Sequence, residues 1–427
     1  MLNQGKWLAT AWQRSNSLHT AFLASRETGL QQVAALIRLQ MGAAGVITPP
    51  AVQPARSAVL FNRADLEELA NGSIARVFGP EFQAYETRRT PRIPNSDLML
   101  MSRVVAIQGK RGCLNSPASI VTEYDVPETA WFFSGSSRQV LPAFACMEAA
   151  LQPCGLLSAY LGTMLLNPRE DYYFRNLDGQ SEILAHPQMG GKVLTAHADL
   201  LSTTLSASMI IQKFKFTLSC QGQLFYRGES TFGYFPPDRM ANQAGLDGGK
   251  TSQPELEIEQ AGPSAGSAAV ITLDTNRVAD SIPKMDFIHT VRWHQEGGKH
   301  SKGIIFASKH ISPDDWFYRC HFYQDAVMPG SLGMEAVLQA LEVYARHSGL
   351  LPDSAAAVCI PAECRSFTWK YRGQFSPANK ILKLEIHITH FESSAAGLLV
   401  CGDASVWADS IRIYELRGAA VRMTAGS

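Results

Sequence analysis

The sequence WFYRCHFYQDAVMPGSLGMEAVLQ, residues 316–339, has an earlier counterpart in WFFSGSSRQVLPAFACMEAALQ, residues 131–152. Several residues recur in both stretches at the same spacing of 187 positions. Among the matching pairs are Pro142 and Pro329, Met147 and Met334, Glu148 and Glu335, and Gln152 and Gln339. Self-similarity at a fixed spacing indicates a duplicated structural unit. The chain is therefore predicted to consist of two halves that are built in the same way.

Residues 143–166, AFACMEAALQPCGLLSAYLGTMLL, are apolar over a length that would span the ~30 Å core of a bilayer if helical. The stretch nevertheless contains Glu148, Gln152 and Pro153. Because a lone carboxylate in the middle of a membrane costs ~3 kcal/mol or more, we expect no membrane span. A helix that is apolar on nearly every side is expected to be buried inside the protein.

Downstream of each apolar helix, the sequence alternates between polar and apolar residues. KFKFTLSCQGQLFYRGESTFGYF, residues 213–235, and KLEIHITHF, residues 383–391, have the period of two that is typical of β-strands. Each half therefore contains short strands, one apolar helix and a run of long antiparallel strands. A sheet curled around a single central helix satisfies this order, so an α+β fold is predicted for both halves.

Shifts in composition divide the chain into four parts. Residues 1–88 contain an amphipathic helix predicted at 17–40 and a Pro-rich tether, and they are interpreted as an N-terminal linker. Residues 241–268 are rich in Gly, Ser, Pro and Gln and are interpreted as an internal linker. The two repeated halves are then residues 89–240 and 269–427.

The charge and cysteine content exclude several classes of protein. The 427 residues include 38 Lys and Arg against 38 Asp and Glu, so no net field attracts nucleic acid or an anionic membrane. The eight cysteines form no CxxC pair, which fits a reducing compartment better than a zinc ribbon or a disulfide scaffold. The N-terminus lacks the basic head and apolar run of a secretory signal. A cytoplasmic protein without a nucleic-acid partner is expected.

Of the two matching stretches, only the second carries a histidine, His321, whereas the first has Ser-Gly-Ser-Ser at residues 134–137. An imidazole has the intrinsic pKa of a base that works at pH 7. Gly330 follows a proline at a helix start, so its amide is open to an oxygen at the positive helix end. Glu148 and Glu335 lie on apolar helices, where lost hydration raises the pKa of a carboxyl towards that of a proton donor. These residues supply a base, an oxyanion donor and an acid.

Residues 316–339 resemble the active-site segment of the hotdog-fold β-hydroxyacyl-acyl-carrier-protein dehydratases, the FabA/FabZ-like group. In that group a His precedes a Gly-started central helix that bears an Asp or Glu fourteen residues after the His, and His321 and Glu335 have this spacing. The tandem layout, with a first half lacking the histidine, resembles the dehydratase regions of polyunsaturated fatty acid synthases, which are similar to polyketide synthases in organisation. The resemblance covers roughly residues 90–427 and implies a double hotdog.

The resemblance also implies roles for individual residues. The His and the acid of one site come from opposite hotdogs in this family, which implies a working pair of His321 and Glu148. His321 would remove the α-proton of a β-hydroxyacyl thioester, the Gly330 amide would polarise the thioester carbonyl, and His321 with Glu148 would protonate the leaving hydroxyl. The product would be a trans-2-enoyl thioester, and an accompanying isomerisation of the double bond is left open. Gln152 resembles the Gln of the Asp-x-x-x-Gln motif of polyketide dehydratases and would orient the acid. Those enzymes usually carry the His half first, whereas this chain carries it second.

The same resemblance implies the partners of the reaction. The substrate would be carried on the phosphopantetheine arm of an acyl carrier protein, beside other domains of a multienzyme synthase. A homodimer is a further candidate assembly. No metal and no redox cofactor is expected.

Several other residues have a structural interpretation. Glu335 lacks a histidine partner and is interpreted as structural or vestigial. Asp325 lies in a turn and is expected to accept hydrogen bonds from backbone amides. Cys320 is expected to serve packing. His387 and His390 lie three apart on a predicted strand and would point to opposite faces, which speaks against a metal site.

Two rival functions remain open. A hotdog acyl thioesterase would hydrolyse the thioester, but such enzymes usually lack a His before a Pro-Gly helix start, so His321 favours the dehydratase. A non-catalytic scaffold that docks carrier protein would be favoured if His321 were buried away from the interface of the two hotdogs.

Overall fold

The computed structural model describes residues 59–133, 139–206, 208–241, 243–259, 269–272, 283–350 and 357–424. The chain divides into two units, Met1–Ser57 and Ala58–Ser427, and all described residues belong to the second. The helix predicted at 17–40 lies outside the described residues. Residues 134–137, where the first half lacks its histidine, lie outside them as well.

Within the described residues, fourteen strands form one antiparallel sheet. The first half contributes β1 (Arg103–Gln108), β2 (Ala118–Asp125), β3 (Tyr173–Ile183), β4 (Val193–Ser206), β5 (Met209–Cys220) and β6 (Gln223–Phe235). The second half contributes β7 (Ala269–Thr272), β8 (Thr290–His294), β9 (Ile304–His310), β10 (Val358–Pro361), β11 (Ser366–Tyr371), β12 (Ile381–Ser394), β13 (Gly397–Ala408) and β14 (Ile411–Thr424). The strand order is β1-β2-β4-β5-β6-β3-β11-β14-β13-β12-β9-β8-β7, and β10 pairs with β14. The two halves meet where β3 pairs with β11, with Gly179 opposite Trp369.

The α-helices of the described residues are two central ones and several short ones. They are α1 (Arg63–Asn71), α2 (Ile74–Phe78), α3 (Ala143–Tyr160), α4 (Pro237–Ala241), α5 (Glu255–Glu259), α6 (Phe317–Cys320) and α7 (Gly330–His347). The central helices α3 and α7 begin directly after Pro142 and Pro329, the two prolines of the repeat. A proline is favoured at this point because a helix start needs no amide hydrogen there.

Each central helix is wrapped by the strands of its own half. Helix α3 contacts β2, β4 and β5, helix α7 contacts β8, β9, β13 and β14, and the two helices also contact each other. Phe144 and Met147 of α3 belong to the same buried apolar cluster as Leu332 and Val337 of α7. The predicted α+β double hotdog is confirmed. The stretch Ala143–Leu166 is long and apolar enough for a membrane span, but 67% of its most apolar window is buried in the protein, as expected for the core helix that it forms.

Equivalent residues of the two halves meet each other where the halves join. The rings of Trp131 and Trp316 have their centroids 4.9 Å apart. Their indole nitrogens donate to the carbonyl oxygens of Asp97 (3.1 Å) and Lys284 (3.0 Å), and the side chains of these two residues form an ion pair at 2.6 Å. Asp97 and Lys284 are also 187 positions apart. The halves are therefore related by an approximate twofold axis, with matching contacts on both sides of it.

The division into four domains stays a prediction, although the structure adds detail to both linkers. Residues 63–85, which were assigned to the N-terminal linker, form α1, α2 and a 3-10 helix at Pro80–Tyr85. Their apolar side chains, Leu66, Leu69, Phe78 and Phe82 among them, are buried in the main core. The internal linker is partly fixed to the second half, where Asp247 pairs with Arg412 and Ser252 accepts a hydrogen bond from Trp407.

Candidate active site

A cavity of about 110 Å³ lies between the two halves and is lined by residues from both. It gathers four of the residues singled out in the sequence: His321, Glu148, Gln152 and Gly330. Tyr371 of β11 and Tyr414 of β14 form a neighbouring part of the wall, with ring centroids 4.4 Å apart. The central helix of one half and the histidine-bearing loop of the other thus face one shared cavity.

His321 lies directly after α6, at the start of a loop that returns to the head of α7. The loop closes on this residue, because Val327 N donates to the His321 carbonyl at 2.8 Å. The imidazole Nδ1 lies 3.0 Å from the Val327 carbonyl oxygen. A carbonyl can only accept, so Nδ1 carries the proton and Nε2 keeps its lone pair. Burial lowers the pKa of the His321 imidazole to about 3, so the ring is neutral at pH 7 and its Nε2 is free to accept a proton.

Glu148 lies in the second turn of α3 and is 6% exposed. Its Oε1 accepts a hydrogen bond of 2.6 Å from the Ser331 hydroxyl, and its Oε2 accepts one of 3.1 Å from Gln152 Nε2. Burial raises the pKa of the Glu148 carboxyl, while these two hydrogen bonds act in the opposite direction. The environment therefore favours a carboxyl that can hold and give up a proton closer to neutral pH than an exposed one.

The side chain of Gln152 is held by backbone groups of the segment that precedes β1. Its amide donates to the Leu98 carbonyl at 2.7 Å and accepts from Leu100 N at 3.0 Å. Gln339, the equivalent residue, makes the same pair of bonds to Met285 O at 2.6 Å and Phe287 N at 3.2 Å. Because both halves contain this anchor, it belongs to the folded unit itself. The hydrogen bond from Gln152 to Glu148 is the one that connects this anchor to a carboxyl on the cavity wall.

Gly330 is the first residue of α7 and lies against an aromatic ring. A Cβ atom at this position would be 2.5 Å from Tyr371 Cε2, so the glycine is required for the close approach. The Tyr371 hydroxyl donates to the Gly330 carbonyl at 3.1 Å. The amide of Gly330 belongs to the first turn, whose N–H groups have no acceptor within the helix and carry the positive end of the helix dipole. An oxygen in the cavity can accept from it.

Glu335 occupies the position in α7 that Glu148 occupies in α3, but it is not among the residues that line this cavity. Its Oε2 accepts from Phe144 N, in the first turn of α3, at 3.2 Å. Burial raises the pKa of Glu335 to about 7.

A second cavity of about 40 Å³ is lined by Ala143, Met334 and Leu338, the equivalents of Gly330, Met147 and Leu151. The smaller cavity is thus the counterpart of the larger one, on the side where the sequence has no equivalent of His321.

Asp325 does not accept backbone amides as expected, because its carboxylate is taken by a side chain from the other half. Arg175 of β3 donates to both Asp325 oxygens at 2.7 Å. Sequence reasoning missed Arg175, since nothing in the FRNLDG stretch signals a contact 150 residues away. It also missed Ser331 and the two tyrosines. Cys320 is buried, burial raises the pKa of its thiol, and its sulfur lies 3.6 Å from the Trp316 carbonyl, so it packs as expected.

His387 lies in a polar cluster away from this cavity. The possible ligand atoms of Glu255, Glu385 and His387 lie within 4.8 Å of one another. The His387 Nε2 bonds to Glu385 at 3.0 Å, and its Nδ1 accepts from Lys299 N at 3.2 Å. Both ring nitrogens are therefore in use within the protein. His390, by contrast, is exposed.

Comparison with known proteins connects the chain with one domain family and with a large fatty acid synthase. Residues 281–417 match the family model of the FabA-like domain. The chain is 31% identical over 393 residues to a subunit of the polyunsaturated fatty acid synthase of Thraustochytrium sp., a match that covers 85% of the chain and 26% of the relative. The chain thus spans about a quarter of the length of that relative.

Solved structures are similar over most of the chain at low identity. A trans-AT polyketide synthase dehydratase domain from Brevibacillus brevis is 11% identical, with a TM-score of 0.43, and the match covers 76% of the chain and 98% of that domain. The dehydratase domain from the CurF module of curacin polyketide synthase is 13% identical, with a TM-score of 0.40 and coverage of 77% and 100%. A putative oleoyl thioesterase from Lactobacillus plantarum is 10% identical, with a TM-score of 0.40 and coverage of 73% and 98%.

Proposed function

We propose that this chain is a hydro-lyase that dehydrates β-hydroxyacyl thioesters. Two comparisons support the proposal: residues 281–417 match the FabA-like domain, and the chain is similar to a subunit of a polyunsaturated fatty acid synthase. The substrate is a β-hydroxyacyl group on the phosphopantetheine arm of an acyl carrier protein, and the product is the trans-2-enoyl thioester. The other domains of a cytoplasmic multienzyme synthase are its proposed partners. The observation that carries the proposal is the neutral His321 of one half and the buried Glu148 of the other on the wall of one cavity.

The proposed reaction begins with proton removal. The lone pair on His321 Nε2 takes the α-proton, and the electron pair of the C–H bond moves towards the thioester carbonyl. The Gly330 amide donates to the carbonyl oxygen as negative charge develops there. An oxyanion donor of this kind is worth about 3 kcal/mol in the transition state.

The second step is loss of the hydroxyl group. The electron pair returns to form the α,β double bond, the bond from the β-carbon to the hydroxyl breaks, and the hydroxyl leaves as water after taking a proton. Glu148 with the protonated His321 supplies that proton, and both groups return to their starting states. Because the raised pKa of Glu148 keeps more of it protonated than an exposed glutamate would be, it is suited to this task.

The test uses the purified chain with a synthetic β-hydroxyacyl thioester. Chromatography and mass spectrometry follow the loss of water, and NMR of the product gives the geometry and position of the double bond. A thiol reagent in a parallel reaction detects hydrolysis. The proposal expects enoyl thioester and water without free thiol, and no product from His321→Ala. Release of free thiol would establish a thioesterase instead. If neither product forms and the chain still binds carrier protein, it is a scaffold.

A further inference from the structure

A bidentate ion pair joins the loop that carries His321 to the opposite half of the protein. Arg175 projects from β3 of the first half, and Asp325 lies in the loop of the second. The distances from Arg175 Nη1 to Asp325 Oδ2 and from Nη2 to Oδ1 are both 2.7 Å. The two side chains are 11% and 15% exposed. Parallel, charge-assisted bonds of this kind fix direction as well as distance.

Asp325 is also the residue that closes the turn after His321. Phe322 N donates to the Asp325 carbonyl at 2.8 Å, and Asp325 N donates to the Phe322 carbonyl at 3.1 Å. Val327 N and Val327 O then bond to the backbone and the ring of His321. The short loop from His321 to Val327 is closed by these bonds, and they connect the imidazole to the residue whose carboxylate Arg175 holds.

Arg175 is itself held firmly by its surroundings. Its Nη1 donates to the Phe174 carbonyl at 2.9 Å, and its Nε donates to the Gln374 side chain. Its guanidinium carbon lies 5.3 Å from the centre of the Tyr173 ring. Since the guanidinium is planar and anchored on three sides, it presents a rigid fork to the carboxylate. Arg175 also lines the cavity beside His321, which raises a second possibility, namely direct contact with substrate.

We propose that Arg175 is a positioning residue, which acts through Asp325 to hold the His321 imidazole facing the cavity. This inference rests on the proposed dehydratase function, and it adds a requirement that the first half must dock before the base of the second half is in place. The two charges act on the imidazole in opposite directions, so the pair orients the ring without favouring its protonation.

The experiment compares Arg175→Gln, Asp325→Asn and the double variant with the wild-type chain. Arg227→Gln is the matched control, because Arg227 forms an ion pair with Glu182 of the same strand β3 but is 55% exposed and does not line the cavity. Two quantities are measured: kcat and KM for a β-hydroxyacyl thioester, and hydrogen–deuterium exchange of the peptide that contains residues 321–327.

For both single variants we expect kcat to fall roughly 10²-fold, as a displaced catalytic group would cause, with KM unchanged. The double variant should be no slower than the single variants, because all three break the same contact. Exchange at residues 321–327 should rise in these three variants and stay at the wild-type level in Arg227→Gln. In Arg175→Gln the Asp325 carboxylate remains buried without its partner, which destabilises the fold. The double variant contains neither charge, so it tests the loss of the contact without the cost of a buried unpaired charge.

Three results would overturn the proposal. They are a rise in KM at constant kcat, losses that multiply in the double variant, and unchanged exchange in the loop. The exchange measurement needs no substrate, so it separates the proposed positioning role of Arg175 from the proposed dehydratase function. If exchange rises in the variants but the wild-type chain dehydrates nothing, the dehydratase function is wrong and the positioning of the loop by Arg175 stands. If the wild type dehydrates its substrate but exchange is unchanged in the variants, only the positioning role is wrong.

Discussion

Glu148, on the central helix of the first half, accepts a hydrogen bond of 2.6 Å from Ser331, in the first turn of the second central helix. The reciprocal contact joins Glu335 to the Phe144 amide at 3.2 Å. Both partners in one contact lie 187 positions from their equivalents in the other. The duplicated unit thus makes a helix-to-helix contact at equivalent positions twice, once from a side-chain hydroxyl and once from a backbone amide, but only the first carboxyl lines the cavity that holds His321. The surroundings of the two glutamates, and not their helices, set them apart.

Replacing Ser331 by alanine is expected to move the alkaline limb of the kcat profile to higher pH. The Ser331 hydroxyl lowers the pKa of Glu148 against the effect of burial, so its loss raises that pKa further. A carboxyl that acts as an acid loses activity as the pH rises through its pKa. Steady-state kinetics across the pH range measure the shift, and Ser331→Thr, which keeps the hydroxyl, is the control. A limb that moves to lower pH would contradict Glu148 as the acid.

His321 is expected to stay neutral well below the usual range of histidine. Burial lowers the pKa of its imidazole to about 3, so its basic form persists on acidification. The value of kcat/KM should therefore remain level from pH 7 to about pH 5, where a histidine with a pKa of about 6.5 would have lost most of its basic form. Measurements of kcat/KM for the wild-type chain between pH 7 and pH 5 test this prediction. A half-maximal value near pH 6.5 would contradict it and would show that the imidazole is exposed to water.

Glu335 is expected to make the stability of the protein depend on pH. Burial raises its pKa from 4.5 to about 7, so the folded state binds the proton more tightly than the unfolded state. Its contribution is complete below pH 4.5 and is lost as the pH rises towards 7. Between these limits the wild type should lose about 3 kcal/mol of unfolding free energy relative to Glu335→Gln. Urea unfolding of both proteins at several pH values measures the difference, and parallel curves would contradict it.

Gly330→Ala is expected to lower both stability and activity. The new Cβ meets the Tyr371 ring, and such overpacking costs about 1–3 kcal/mol. It also displaces the amide that is proposed to bind the thioester oxygen. Thermal unfolding and kcat measure the two effects, with Tyr371→Phe as a control that removes the hydrogen bond to Gly330 and keeps the ring. An alanine variant with wild-type activity would exclude the proposed oxyanion site.

The fold could be predicted because the repeat carries its own markers. Pro142 and Pro329 start two helices, and the apolar surface of residues 143–160 requires a sheet around them. One site could be predicted for four residues, because the repeat and the family resemblance imply that the His and the acid come from opposite halves. These residues are His321, Glu148, Gln152 and Gly330.

The remaining contacts could not be predicted because they depend on the packing of one half on the other. Arg175 reaches Asp325 across 150 residues, and Ser331 reaches Glu148 across 183. Local sequence holds no information on such distant partners, so it predicts only the backbone amides of the turn as partners of the Asp325 carboxylate. The helices in residues 63–85 could not be predicted for a similar reason, since they pack on Arg111, Tyr160 and Asn167 of the first half.

The assignment of one imidazole and one carboxyl from opposite halves is tested most directly by dehydration rates of His321→Ala, Glu148→Gln and Glu335→Gln, with circular dichroism to show that each variant folds. Loss of acid or base catalysis lowers kcat by roughly 10²- to 10⁴-fold, and this loss is predicted for the first two variants. Glu335→Gln is predicted to keep most of the wild-type rate. A normal rate for Glu148→Gln together with an inactive Glu335→Gln would contradict the account and transfer the acid to the second half.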